Sequence, residues 1–178
     1  IFYVYKKEVQ KMNDLIELKL ITKDDAECLH KLQVKAFMRL YEKYQDDFTS
    51  PAKESLEKIT QKIVEDNSDF YFILFNGEKV GAVRVKWYNG ENVYENVNWI
   101  SPIFVIPKFQ NKGIASNVIE RLFDIYPKTI EWRLYTIKQE KRNCYLYEKC
   151  GFVRTGDEKV INENMTLINY VKNCIKVR

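Results

Sequence analysis

Apolar residues recur along the chain with two spacings, one typical of strands and one typical of helices. Residues 15–21 alternate apolar and polar side chains and predict a first strand, and the polar stretch 22–25 is typical of a helix start. Helical spacing of apolar residues then predicts two helices, the first through Leu29, Leu32, Ala36, Phe37, Leu40 and Tyr44 and the second through Leu56, Ile59 and Ile63. The chain therefore begins with a strand and two helices.

The middle of the chain predicts antiparallel strands. The apolar run 70–75 ends at Asn76-Gly77, which strongly indicates a hairpin because both residues tolerate positive φ. The next strand alternates apolar with basic residues, so we expect one buried and one solvated face. The alternating positions are Val83, Arg84, Val85, Lys86 and Trp87. A polar loop over 88–96 leads to another apolar strand, and short connections make these strands antiparallel neighbours.

Residues 100–126 predict a strand, a turn and a helix in succession. The apolar run ends at Pro107, a basic turn covers 108–113, and helical spacing follows through Ile114, Val118 and Leu122. The first backbone N–H groups of a helix lack intrahelical partners, and the helix dipole adds partial positive charge. Because Gly113 lacks a side chain, an anion can approach closely, and a phosphate or pyrophosphate is the expected ligand.

The remaining elements complete one sheet. Residues 129–137 predict a strand reached through a helix, which favours a parallel pair with the preceding strand. A short helix over 141–150 ends at Gly151, and the strands 152–156 and 165–171 would form a hairpin with a long connection. The predicted fold is α/β (α+β): a mixed, mostly antiparallel sheet of about seven strands with a central parallel pair and helices on both faces.

Length and composition favour one soluble domain. The chain has 178 residues, of which 46% are hydrophobic and 30% charged, and we expect a single domain over 15–178. Residues 1–14 are interpreted as an N-terminal extension or an expression remnant. The net charge is +4, but basic and acidic residues are interspersed, which argues against a nucleic-acid partner. We find no leader or long apolar span, so we expect a cytoplasmic protein without a membrane partner.

The cysteine and histidine content gives no metal motif. The four cysteines contain no Cys-x-x-Cys pair, and the only histidine, His30, is distant from three of them in sequence. Cys144 and Cys150 are expected to be small buried residues with reduced thiols. A metal is therefore not expected.

Two segments, in this order, resemble one known superfamily. The turn 110–115 reads Gln-Asn-Lys-Gly-Ile-Ala and fits the pattern Arg/Gln-x-x-Gly-x-Gly/Ala. Residues 146–152 read Leu-Tyr-Glu-Lys-Cys-Gly-Phe and fit Leu-Tyr-Glu-Lys-x-Gly-Phe. Either motif alone is weak, but together, within the expected order of elements, they resemble the GNAT superfamily of N-acetyltransferases. The element order agrees from Leu15 onward, whereas the specific residues lie only between 104 and 152.

The resemblance implies acetyl-CoA as a cosubstrate, bound where the two parallel strands splay apart. The pantetheine arm would pair with the strand that contains Phe104, Val105 and Ile106, through the backbone groups of Phe104 and Ile106. The pyrophosphate would bind the turn and the helix start, formed by Gln110, Asn111, Lys112, Gly113, Ile114, Ala115 and Ser116. Lys112 would add a cation and Ser116 a hydroxyl.

The second segment implies a catalytic tyrosine. In many members of the superfamily the tyrosine at this place protonates the leaving CoA thiolate, which would make Tyr147 the general acid. A phenol with an unperturbed pKa of about 10 is protonated at neutral pH and suits this task. The alternative is a packed aromatic residue on a short helix. Asn143 would reach the cofactor from the start of the same helix, or else bond the local backbone.

The sequence departs from the superfamily where a general base is expected. Members often carry a glutamate on the strand before the turn, but residues 98–101 read Asn-Trp-Ile-Ser. An ordered water, or Glu95 from the preceding loop, would then remove the proton from the acceptor ammonium. A covalent mechanism through Cys144 or Cys150 is not expected, because direct transfer needs no enzyme nucleophile.

The expected acceptor is the primary amine of a small molecule, which would enter beside the first two helices and the 88–96 loop. Glu91 and Glu95, with Asp46 and Asp47, favour a small cationic amine there, although the latter pair is better explained as a solvated loop. Two alternatives remain: a protein or peptide N-acetyltransferase, and a non-catalytic acyl-CoA sensor. Since dimers are common among similar proteins, a homodimer is a further expectation.

Overall fold

A computed structural model describes residues 15–87 and 96–174, and within these ranges the chain forms four α-helices and seven strands. The helices are α1 (Ala26–Tyr44), α2 (Leu56–Ile63), α3 (Ile114–Ile125) and α4 (Lys141–Lys149). The strands are β1 (Ile16–Leu20), β2 (Ser68–Phe75), β3 (Glu78–Trp87), β4 (Val97–Val105), β5 (Glu131–Ile137), β6 (Val153–Asn162) and β7 (Met165–Asn173). Glu91 and Glu95 lie outside the described residues.

All seven strands form one sheet in the order β1-β2-β3-β4-β5-β7-β6. Each neighbouring pair is antiparallel except β4 and β5, which are parallel and joined through α3. The predicted mixed sheet with its central parallel pair is therefore confirmed. The predicted hairpin is also confirmed, because Asn76 and Gly77 join β2 to β3 with φ values of 52° and 78°.

Two apolar layers cover the two faces of the sheet. The first lies under α1 and α2 and contains Leu29, Ile59, Phe70, Phe72, Ala82 and Phe104. The second lies under α3 and α4 and contains Val118, Leu122, Trp132, Leu134, Phe152 and Tyr170. Because helices cover both faces, the central strands are buried on both sides.

The prediction of a solvated face on β3 is wrong. Arg84 is only 5% exposed. Its guanidinium donates hydrogen bonds to the Ser68 hydroxyl at 3.2 Å and to the Glu65 carboxylate at 2.6 Å. Alternation with basic residues indicated a surface, but β3 lies in the middle of a covered sheet, and its arginine is buried with its partners.

The predicted long connection in the last hairpin is also wrong. Strand β6 continues to Asn162, so only residues 163–164 separate it from β7. The pairing with β7 is irregular between Arg154 and Glu158, and Gly156 within this interval has φ of 88°. This bulge interrupts the alternation from which the strand end was predicted. As a consequence, Lys159 lies within the sheet rather than in a loop.

Buried polar contacts fix the segment between α1 and α2. Gln33 is fully buried, and its amide nitrogen donates to the Pro51 carbonyl and to the Glu54 carboxylate, each at 2.9 Å. Glu54 also pairs with Lys62 of α2. Burial raises the pKa of the Glu54 carboxyl, but the hydrogen bond and charge of Lys62 outweigh that effect and hold it below the ordinary 4.5.

Replacing Glu54 with glutamine should destabilise the protein by about 3 kcal/mol at pH 7, because the partly buried Lys62 ammonium, whose side chain is 21% exposed, loses its partner. Since the folded-state pKa of Glu54 is depressed, its contribution is complete above the unfolded pKa and disappears as the pH falls through the folded pKa. As the pH falls below about 4.5, the stability of the Glu54→Gln variant should therefore decrease less than that of the native protein. Urea unfolding at several pH values measures this, with the exposed Glu57→Gln as the control. Equal stability of both variants at pH 7 would contradict the role of the pair.

Candidate active site

Strands β4 and β5 separate after a short parallel contact. They pair through Val97–Trp99 of β4 and residues 131–133 of β5. In the antiparallel pairing of β4 with β3, Val85 lies opposite Ile100 and Val83 opposite Ile103, so β4 holds one extra residue there. Such a bulge bends its strand. Beyond it β4 stays with β3, and a gap opens toward β5.

At the end of β4, successive residues direct their backbone groups alternately to β3 and to the gap. The Ile106 amide donates to the Val80 carbonyl at 2.8 Å, and the Ile106 carbonyl accepts from the Phe109 amide at 2.9 Å. The Phe104 carbonyl lies against β3, because a Cβ added at Gly81 would be 2.0 Å from its oxygen. The Ile106 amide and the Phe104 carbonyl therefore face β3 and not the gap.

Ile103 and Val105 direct their backbone groups to the gap, since successive residues of an antiparallel strand alternate between its two edges. The expectation that pantetheine pairs with the backbone of Phe104 and Ile106 was therefore wrong. The sequence did not show which residues of β4 face the gap, because it did not show the extra residue in this strand. Val105 remains a candidate, although its carbonyl already accepts from the Gln110 side chain at 2.8 Å. Gln110 thereby fixes the turn to the strand.

The turn after β4 presents free amides at the start of α3. Asn111 and Gly113 have left-handed φ values of 67° and 75°. Within α3 the first amide to find a backbone acceptor is that of Asn117, which donates to the Gly113 carbonyl at 3.2 Å, so among the described residues the amides of Ile114, Ala115 and Ser116 have none. No side chain caps this helix start. The arrangement suits an anion.

Two side chains at this helix start donate further hydrogen bonds to the Gly113 carbonyl. The Ser116 hydroxyl and the Asn117 side-chain amide each donate to the Gly113 oxygen at 2.8 Å. The hydroxyl proton of Ser116 is therefore engaged within the turn, which leaves its backbone amide for a ligand. The ammonium groups of Lys108 and Lys112 lie 5.1 Å from the centre of the Phe109 ring and add positive charge beside the turn.

A cavity of about 340 Å³ lies between α1 and the strands β4, β5 and β7. Five aromatic side chains line it, namely Phe37, Tyr41, Tyr44, Tyr135 and Tyr147. Sequence reasoning missed most of this lining. Phe37, Leu40 and Tyr44 were predicted as a helix face, which is correct, but helical spacing does not show which part of that face remains uncovered. Lys159 also lines the cavity and was missed because β6 was predicted to end early.

Tyr147 and Asn143 line the same cavity from α4. Tyr147 is 7% exposed, and its ring packs against those of Phe152 and Tyr170 at centroid distances of 6.2 and 6.1 Å. Burial raises the pKa of its phenol well above the ordinary value, so the group stays protonated. Within the described part of the chain, its hydroxyl has no hydrogen-bond partner. A protonated hydroxyl beside a cavity can serve as a proton donor.

A free carboxylate does not reach the cavity from the described residues. Asp46 is the one carboxylate among its described lining residues, and it accepts hydrogen bonds from the Phe48 amide at 3.1 Å and the Thr49 amide at 2.8 Å. The Thr49 hydroxyl donates to it as well. Asp46 is only 3% exposed, so its interpretation as a solvated residue was wrong. Exposed Asp47 accepts from the Tyr41 hydroxyl.

The other candidate groups do not supply a base or nucleophile. Asn98 is buried and donates to the Thr129 hydroxyl at 2.7 Å. Cys144 and Cys150 are buried as predicted, and burial raises the pKa of the Cys150 thiol to about 11. The resulting neutral thiol of Cys150 is a poor nucleophile. The described residues hold no group of three metal-ligating side chains.

Comparison with known proteins identifies the fold and the family. The sequence model of the Acetyltransferase (GNAT) family matches residues 37–152. The chain belongs to this family. As a GNAT N-acetyltransferase, the enzyme uses acetyl-CoA as its cosubstrate. Among the described residues, no helix is both long enough and apolar enough to cross a bilayer.

Several relatives of this GNAT enzyme have named activities. It is 27% identical over 151 residues to the spermidine N(1)-acetyltransferase of Vibrio cholerae serotype O1, covering 82% of this chain and 83% of that protein. Its fold matches the aminoglycoside acetyltransferase AAC(6')-Ib with ribostamycin and coenzyme A, with a TM-score of 0.69 and 18% identity over 89% and 93% of the two chains. It also matches RimL, the ribosomal L7/L12 alpha-N-protein acetyltransferase, with a TM-score of 0.67 and 15% identity over 89% and 94%.

Proposed function

We propose that this enzyme moves an acetyl group directly from acetyl-CoA to the primary amine of a small molecule. The observation that carries the proposal is the position of Tyr147, which lines the cavity beside the gap between β4 and β5. An acetyl donor held in that gap and an amine held in the cavity would meet next to a protonated phenol. Direct transfer then needs positioning and one proton donor.

The chain supplies two binding segments for acetyl-CoA, whose thioester is the activated acetyl donor. The edge of β4 at Ile103 and Val105 pairs with the pantetheine amides, as an added strand would. The amides of residues 114–116 bind the pyrophosphate, and Lys112 contributes its charge. We assign Asn143 to the cofactor side of the cavity, which it lines next to Tyr147.

Proton movement follows from the groups around the cavity. The Ile103 amide polarises the acetyl carbonyl as the neutral amine attacks it. As the C–S bond breaks, Tyr147 gives its proton to the departing sulfur, and the attacking nitrogen loses its surplus proton to water, from which the Tyr147 phenolate is reprotonated. The products are the acetylated amine and CoA with a free thiol. Since the Asp46 carboxylate is held by its own loop, a water molecule removes the proton from the acceptor ammonium. Glu95 remains a prediction for the same role.

The size of the cavity favours a small acceptor. Its volume of about 340 Å³ falls at the lower end of the range of small-molecule sites, about 300–1,000 Å³. The named relatives act on spermidine, ribostamycin-type aminoglycosides and a ribosomal protein, so the family itself does not fix the acceptor class.

Self-association stays a prediction, which light scattering would test.

The proposal is tested by incubating the protein with acetyl-CoA and a panel of primary amines. We expect CoA release together with an N-acetylated product in the mass spectrum. Acetyl-CoA binding is measured separately by thermal shift. Binding without turnover on any small amine, but with acetylation of a peptide N-terminus, would support a peptide acetyltransferase. Binding without any turnover would support a sensor.

A further inference from the structure

The lining of the cavity restricts the acceptor more than its volume does. Besides the rings of Phe37, Tyr41, Tyr44, Tyr135 and Tyr147, the cavity is lined mainly by apolar side chains, among them Leu40, Ile103, Ile137, Met165 and Leu167. Neutral polar groups come from Thr49, Ser50, Ser101, Thr136 and Asn143. A ligand that carries many hydroxyl or ammonium groups would leave those that face the apolar part of this lining without partners. The apolar walls instead favour an acceptor with a ring or branched hydrocarbon body.

The two oppositely charged residues of the described lining differ in what they offer to a ligand. Asp46 already accepts hydrogen bonds from two amides and one hydroxyl of its own loop. Lys159 lies with its ammonium 4.2 Å from the centre of the Tyr135 ring, and no carboxylate of the described residues lies within 4.0 Å of it. Lys159 is therefore the charged group of this lining that has no ionic partner.

The acidic residues next to Lys159 on β6 have other partners. Glu158 forms an ion pair with Lys138 at 2.7 Å, and Asp157 accepts a hydrogen bond from the Tyr135 hydroxyl. Neither carboxylate lies within 4.0 Å of the ammonium of Lys159, which is itself an exposed residue at the cavity. Its ammonium is held against the Tyr135 ring at the cavity, where desolvation by a bound ligand would strengthen its attraction for an anion.

We infer that the acceptor is a small amine with an apolar body and an anionic group, a carboxylate or a phosphate, that pairs with Lys159. The inference rests on the proposed function and narrows its substrate class. A polyamine fits this cavity poorly, because its distal ammonium would meet the ammonium of Lys159 instead of a carboxylate. The acceptor class would then differ from that of the spermidine acetyltransferase to which the sequence is similar.

Matched pairs of amines test the inference. Phenylalanine and phenethylamine differ only in a carboxylate, tyramine O-phosphate and tyramine differ only in a phosphate, and spermidine represents the polycations. With saturating acetyl-CoA, we expect kcat/KM to favour the anionic member of at least one pair by about tenfold or more, as a charge-assisted hydrogen bond would give. The pair that shows the preference identifies the anion as carboxylate or phosphate.

Substitutions of Lys159 form the second part of this experiment. The Lys159→Glu variant should reverse the preference, and Lys159→Met, which retains an unbranched side chain against Tyr135, should abolish it. The control is Lys19→Glu, the same charge change at an exposed residue on β1, at the opposite side of the sheet. It should leave the preference intact. Melting temperatures of all three variants verify folding.

The outcomes separate this inference from the proposed function. Equal kcat/KM values within both pairs, a preference unchanged by both Lys159 variants, or spermidine as the best acceptor would overturn the inference while acetyl transfer stands. If acetyl-CoA binds but none of the amines yields an acetylated product, the proposed function fails and the inference with it.

Discussion

Replacing Tyr147 with phenylalanine should lower kcat by about 100-fold or more, the range typical of a lost general acid, and leave acetyl-CoA affinity almost unchanged. The hydroxyl has no hydrogen-bond partner within the described residues, and the ring packs against Phe152 and Tyr170. Removing the oxygen therefore preserves the packing. Steady-state kinetics with the best acceptor from the amine panel measure kcat, and calorimetric titration with CoA measures binding.

Tyr145 offers a matched control for this substitution. It lies on the same helix but is 66% exposed, so Tyr145→Phe should leave kcat within about twofold of the native value. Because burial raises the pKa of the Tyr147 phenol, the native enzyme should not lose activity through ionisation of this group at moderately alkaline pH. A Tyr147→Phe enzyme with native kcat would contradict the assignment and indicate that water protonates the thiolate.

Replacing Gly113 with valine should raise the dissociation constant of CoA by about tenfold to 100-fold. Gly113 has φ of +75°, a conformation that a β-branched residue adopts only with strain of about 1–3 kcal/mol. An added Cβ would lie 3.7 Å from the Asn117 side chain and 3.9 Å from the Ser116 hydroxyl. The side chain would thus occupy the helix start at which we place the pyrophosphate.

Gly77→Val separates backbone strain from the loss of the binding surface. Gly77 has a similar φ of +78° in the turn between β2 and β3, and an added Cβ there meets no atom within 4 Å. This control should lose comparable stability but bind CoA normally. If both variants bind CoA equally well, the helix start at Gly113 does not hold the pyrophosphate.

The sequence predicted those parts of the fold that depend on local rules. The turn at Asn76-Gly77 and the free helix start after Gly113 follow from the φ values that these residues accept. The alternation rule failed at Arg84 because burial of a charged residue depends on partners from other strands. It failed again after Gly156, where a bulge shifts the phase of β6.

The candidate site was predictable only in part for a related reason. Tyr147 and the turn residues belong to contiguous motifs, so their neighbours in sequence identify them. The cavity walls, in contrast, come from segments far apart in the chain, and whether Tyr44 or Lys159 faces a cavity depends on how those segments pack. The edge to which Val105 directs its amide depends on the extra residue in β4, which no local pattern showed.

The absence of a side chain at Gly81 affects more than the pairing of β3 with β4. Since β4 can approach β3 only as closely as residue 81 permits, any substitution there would displace β4 toward β5. The width of the cleft in which we place acetyl-CoA is therefore controlled from the opposite edge of β4, by a residue that belongs to β3 and does not line the cleft. Cosubstrate selectivity, for instance between short and long acyl chains, could thus change through a mutation that no inspection of the binding surface would suggest.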